Sequence, residues 1–135
     1  MKSDMSMILN HHLKLDKKKW LALAISYMAL LIYVSIKPAD LNETPSVTQQ
    51  VAHNLLHVPA YAVLTYLLVQ CFTALNRKTA IYAFMISFLF GVLNEFLQSF
   101  VPSRMASVSD MGLNAIGAGL MILIIQKTSE GQELK

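Results

Sequence analysis

The chain has 135 residues, 55% apolar and 14% charged, with a formal net charge of +3 and a mean hydropathy of +0.48. A soluble domain carries roughly 25% charged residues, and a short chain exposes a large share of its area, so this surface suits lipid better than water. A single cysteine, Cys71, excludes a disulfide scaffold or a cysteine-rich metal module; the low polarity excludes disorder, and the length allows one domain.

Residues 1–19 form a basic segment with Lys2, Lys14, Lys17, Lys18 and Lys19, and with His11-His12 in a polar, unstructured stretch. The lysines run straight into Trp20 and an apolar run, which marks a membrane flank rather than a nucleic-acid patch. Residues 20–125 read as a four-span membrane domain. The first span is Trp20 to Ile36, uncharged over 17 residues, or about 25 Å of helix. That is just enough for the hydrocarbon core. Trp20 suits one interface; Tyr33 and Lys37 suit the other. A cleaved signal peptide is the rival reading, but the run is long and no small-x-small cleavage site follows it.

A loop rich in Pro, Asp and Asn covers residues 37–50. The second span runs from about Leu55 to Leu75, with Pro59 near its start, where a missing N–H costs little. Asn76-Arg77-Lys78 make a turn. The third span, about Thr79 to Phe100, takes Thr79 as its cap and stops before Pro102. Ser107-x-x-Asp110 resembles a capping box, with Asp in place of Glu or Gln, opening a fourth span from Met111 to Ile125. Ala115-x-x-x-Gly119 there is a pair of small residues that lets helices approach. Residues 126–135 are a polar tail, expected to fray. The predicted fold is all-α: a four-helix transmembrane bundle, multipass. Nine of the eleven basic residues fall on one side of it, which predicts that both termini are cytoplasmic.

The polar residues of the apolar stretch collect at one depth, near the outer leaflet. His53, His57 and Tyr61 step by four along the second span and share a face. Glu95 and Gln98 sit at the outer end of the third span. Arg104 lies in the turn, and Asp110 and Asn114 lie one helical turn apart on the fourth. A carboxylate facing lipid is expensive, so Glu95 is expected to point inward. The candidate site is His57, Tyr61, Glu95, Gln98, Arg104, Asp110 and Asn114, with Glu95 and Arg104 as its charged pair. Histidine beside a carboxylate is general acid–base equipment, and Arg104 suits a phosphate or carboxylate. The bland alternative makes the same residues an ion pair, a helix cap and interhelical hydrogen-bond glue. Ser103, Ser107 and Ser109 lack the Gly-x-Ser-x-Gly context of a nucleophile. His53-x-x-x-His57 with Glu95 would be an incomplete zinc set. No metal and no cofactor are assigned, and the catalytic residues, if any, are not identified.

Read together, these motifs resemble the VanZ-like family of bacterial membrane proteins. His57-Val58-Pro59-Ala60-Tyr61 matches its His-x-x-x-Tyr. Glu95-x-x-Gln98, Pro102-x-Arg104, Asp110 and Asn114 follow in the family's order, over about residues 50–120. Members often carry Asp-Lys shortly before the histidine, where this chain has His53 and Asn54. The resemblance implies a multipass protein of the bacterial plasma membrane and cell envelope, in a family linked by name to glycopeptide (teicoplanin) resistance. The outward polar set is consistent with action on a lipid-linked or cell-wall precursor. The alternative is a non-enzymatic structural or interaction protein. A transporter is a third reading, but four spans are few for one. The expected partners are membrane lipid, a lipid-linked envelope precursor and a second copy of the chain, with no nucleic acid.

Overall fold

The structure is a computed structural model that describes residues 16–38, 46–72, 76–102 and 104–133. Among the described residues five helices follow one another: α1 Lys17–Ser35, α2 Val47–Leu55, α3 His57–Gln70, α4 Arg77–Gln98 and α5 Val108–Glu133. No strand occurs among the described residues. Among the described residues four stretches are long and apolar enough to cross a membrane: Lys17–Ser35, Gln50–Gln70, Arg77–Gln98 and Val108–Thr128. The second of these combines the end of α2 with all of α3. His11-His12, Ser103 and most of the loop expected over residues 37–50 lie outside the described residues.

Local chemistry accounts for the boundaries. At the start of α4 the cap is Asn76 rather than Thr79: its side-chain oxygen accepts from the backbone N–H of Lys78 and of Thr79. The Thr79 hydroxyl in turn accepts from the Asn76 N–H, which closes a capping box. Pro59 lies in the first turn of α3, where a backbone N–H has no intrahelical partner to lose. The chain therefore breaks at Leu56, and α2 becomes a separate short helix. At the other end of the chain, α5 continues through the expected polar tail to Glu133. Residues 126–130 hold no glycine or proline to stop it.

The core lies between α1, α3 and α4, around Ala24, Tyr61, Leu64, Leu68, Val69, Ala83 and Phe90. Trp20, in the first turn of α1, is buried edge-on against Tyr66 at 6.1 Å between ring centroids. Helix α3 is central and packs against every other helix, whereas α1 and α5 share no contact among the described residues. The tightest approach is between α3 and α5. A Cβ on Gly117 would collide with the Val58 carbonyl oxygen, so only glycine lets these two backbones meet. The expected small-residue pair is not that contact: a Cβ on Gly119 would meet nothing closer than Phe84 at 3.9 Å. Large apolar side chains cover the outside, among them Ile25, Leu30, Tyr82, Leu89, Leu93, Ile116 and Leu123. With no lipid-excluding drive between helices in a bilayer, close packing and hydrogen bonds between helices carry the association. Two such bonds are buried: Thr65 donates to Ser87 Oγ at 2.9 Å, and Asn94 Nδ2 donates to Ser35 Oγ at 2.7 Å.

Candidate functional site

The polar residues gather at one end of the bundle, where α1 and α4 finish and α3 and α5 begin. The opposite end carries Lys17, Lys18, Lys19, Arg77, Lys78 and Lys127. Glu95 is fully buried near the end of α4. Its Oε2 accepts the backbone N–H of Ser107 at 3.0 Å. That bond changes how α5 begins. The Ser107 hydroxyl caps α5 by accepting the Asp110 N–H at 3.2 Å. In a capping box the side chain at the position of Asp110 would take the Ser107 N–H. Glu95 has already taken it, so the Asp110 carboxylate is released and turns toward α3.

There it meets His57. The Asp110 Oδ2 lies 4.0 Å from His57 Nε2, and the other ring nitrogen, Nδ1, is 2.8 Å from Asn114 Oδ1. Asn114 is fully buried one turn further along α5. Gly91 makes room for it: a Cβ there would stand 3.0 Å from Asn114 Nδ2 and 3.1 Å from the Tyr61 ring. Tyr61 stacks on His57, 6.5 Å between centroids, and is itself buried. The structure thus brings together His57, Tyr61, Glu95, Asp110 and Asn114. Ligand-capable atoms of His57, Glu95 and Asp110 all lie within 4.8 Å of one another.

Arg104 and Gln98 stand a step away, on a cavity of about 260 Å3 between α1, α3 and α4. Arg104 is not paired with Glu95 as the sequence suggested. Its side chain turns to the end of α1, where Nε donates to the Lys37 carbonyl at 3.1 Å. The cause is the tight turn after α4, in which Val101 N–H bonds the Gln98 carbonyl and Arg104 N–H bonds the Val101 carbonyl. The chain turns away from Glu95 and toward the end of α1. His53 lies on α2, exposed, edge-on to His57 at 6.0 Å. It lines the cavity but stands outside the His57, Glu95 and Asp110 group, so the zinc set considered from spacing is replaced by one in which Asp110 takes its place. Asn94, which sequence reasoning left aside, lines the cavity and ties α4 to α1 through Ser35. Its neighbour Glu95 drew the attention; Asn94 gave no motif of its own.

Much of the cavity wall is apolar. Leu30, Val34 and Leu56 line it and are also about half exposed or more, at 52%, 51% and 63%. The cavity therefore opens sideways, where lipid tails lie. His53 and Arg104 form its polar rim, with Gln98 and Asn94 behind them. Among the described residues, buried Glu95 Oε1, Asp110 Oδ1 and Asn114 Nδ2 have no hydrogen-bond partner. Polar groups that served only to join helices would be satisfied by one another, since a buried unsatisfied group costs about 1–3 kcal/mol.

Residues 5–128 match the family model described as VanZ/LLP1. Neither the curated proteins nor the solved structures give a match.

Proposed function

The chain belongs to the VanZ/LLP1 family, and from that premise we propose that it binds an anionic amphiphile of the bacterial cell envelope. The occupant is a lipid or lipid-linked cell-wall precursor, held with its chain along Leu30, Val34 and Leu56 and its headgroup at the rim. The observation that carries this reading is the sideways-open cavity, apolar along its length and polar at one end. A molecule that fits has the same division. Arg104 supplies the headgroup contact. Its Nε is held by the Lys37 carbonyl, which fixes the guanidinium plane and leaves the outer nitrogens to a phosphate or carboxylate. The polar end is assigned to the outer leaflet because the basic residues sit at the other end. In a family named for teicoplanin resistance, raised tolerance to glycopeptides is a phenotype that such binding to a wall precursor would produce.

The test is native mass spectrometry of the full chain released from membranes in mild detergent. An anionic lipid or prenyl-linked phosphate should remain bound. Arg104→Gln should lower its occupancy about tenfold, the worth of one charge-assisted hydrogen bond. Leu30→Trp, which fills the cavity, should displace it while the protein remains monodisperse. A chain that carries no anionic amphiphile, or equal amounts in wild type and Arg104→Gln, would overturn the reading.

The alternative, a structural protein whose polar set is glue, has its own support in the Asn94–Ser35 and Thr65–Ser87 bonds. Those bonds lie between helices and each uses both partners. The carboxylates of Glu95 and Asp110 do not fit that pattern, since each keeps a buried oxygen without a donor.

A further inference from the structure

We propose that His57, Glu95 and Asp110 form a binding site for a divalent transition-metal ion of the zinc and manganese class. Three observations meet at this point. The first is geometric. One ligand atom from each residue lies within 4.8 Å of the others. Two donors bound to one ion at about 2.1 Å are roughly 3–4.2 Å apart, so a small side-chain rotation closes the set. The 4.0 Å between His57 Nε2 and Asp110 Oδ2 is too long for a hydrogen bond but suits two ligands of a shared ion.

The second observation is the orientation of the ring. His57 Nδ1–H donates to Asn114 Oδ1 at 2.8 Å. A histidine that ligates a metal through one nitrogen almost always donates its other N–H to an oxygen, which fixes the tautomer. Here Nε2 is the nitrogen that faces Asp110. A carboxylate at that place is held by a cation, whether a proton on the nitrogen or a metal ion between the two groups. The third observation is the pair of orphan oxygens. Glu95 is fully buried, and its Oε1 has no hydrogen-bond donor; Asp110 Oδ1 is likewise buried without one. Two carboxylates confined together favour a cation between them, and among the described residues Arg104 forms no ion pair with either: its Nε donates to the Lys37 carbonyl.

The donor set selects the ion. One imidazole nitrogen with two carboxylates suits zinc or manganese, whereas magnesium and calcium favour sites built from oxygen alone. Three protein ligands leave a position for a further ligand, and His57 is the member that also lines the cavity. The metal site stands without the lipid reading.

Its test uses lipid-free, detergent-purified full chain carrying Cys71→Ser, His11→Ala and His12→Ala, so that neither the thiol nor the adjacent histidines contribute. The probe is Mn2+, followed by the loss of its free-ion EPR signal. One saturable Mn2+ per chain is expected, displaced by Zn2+ and accompanied by a rise in melting temperature. Asp110→Asn should weaken binding at least tenfold, and Asn114→Ala, which removes only the support of the ring, about tenfold. Asp110 is decisive where Glu95→Gln fails to fold, because its side chain is partly exposed, at 13%. No saturable binding up to millimolar Mn2+ or Zn2+, or unchanged binding in a monodisperse Asp110→Asn chain, would overturn the site. Neither result touches amphiphile binding, which is read by its own Arg104→Gln comparison.

Discussion

A carboxylate with no exposure to solvent or lipid is held in place by what it touches, and for Glu95 the one hydrogen bond is the Ser107 N–H. Removing the acceptor leaves that N–H buried and unsatisfied. Glu95→Ala should therefore lower stability by about 1–3 kcal/mol, measured as an earlier loss of the monodisperse peak on heating in detergent. Glu95→Gln keeps an acceptor for Ser107 and should lose less than half as much. Equal losses in the two variants would show that charge, not the hydrogen bond, holds the turn. Cys71 gives the opposite expectation. It follows the last residue of α3 and packs against the core, where its thiol donates to the Leu67 carbonyl at 3.3 Å, and burial pushes the thiol's pKa up. A raised thiol pKa means less thiolate at any given pH than a free cysteine has, and the thiolate is the reactive form. Maleimide labelling of the folded protein at pH 7.5 should be slower than that of the denatured chain and should recover only at more alkaline pH. Labelling at equal rates would contradict the burial. That the polar residues gather at one end of the bundle was legible in the sequence, because helix length and the apolar runs fix it. Which way each one points around its helix was not. Arg104 shows the difference: it lies at that end, but a two-bond turn after α4 sends its side chain to α1 rather than Glu95.

At the scale of helices, the contact that sets the site is the meeting of α3 and α5 at Gly117. Asp110 and Asn114 lie on the two turns of α5 before it, and His57 is the residue before Val58, whose carbonyl meets Gly117. Pushing these helices apart would separate the histidine from both partners. Gly117→Ala should destabilise the bundle by about 1–3 kcal/mol, the usual cost of overpacking, and should release His57 from Asn114. Gly112→Ala is the matched control. A Cβ there meets nothing within 4 Å, and alanine favours a helix over glycine by roughly 1 kcal/mol. Thermal unfolding of the two variants side by side checks this; an equal loss in both would remove Gly117 from its place as the hinge of the site. The four spans were legible because each is an apolar run closed by turn residues, and the capping signal at Ser107 was legible in part. The carboxylate that completes it comes from another helix, twelve residues earlier, and no local pattern reports that. The glycine that matters was likewise hidden among four small neighbours, since spacing alone does not say which of them faces α3.

For the whole molecule, the two ends of the bundle differ in kind. One carries the lysine run before Trp20, the Arg77-Lys78 turn and Lys127; the other carries Lys37, Arg104 and the buried carboxylates. If all four candidate spans cross the membrane, both termini lie on one side. Basic residues in short loops stay on the cytoplasmic side of the bacterial membrane because translocating them is costly, about 2.5–3.5 kcal/mol each at the centre of a helix on insertion scales. Six of the eight basic residues among those described lie at one end of the bundle, which is a strong bias. The basic end should accordingly face the cytoplasm, and the cavity rim should face out, where His53 and Arg104 meet headgroups of the outer leaflet. Single cysteines placed in the Cys71→Ser background decide it. Asn42→Cys and Ser103→Cys should react with a membrane-impermeant maleimide in intact cells. Arg77→Cys should react only after the membrane is opened, and all three should react equally in detergent. The reverse pattern, labelling at position 77 alone in intact cells, would turn the bundle over. It would also move the site to the inner leaflet, so its occupant would have to come from lipids and precursors on the cytoplasmic side, before they are translocated.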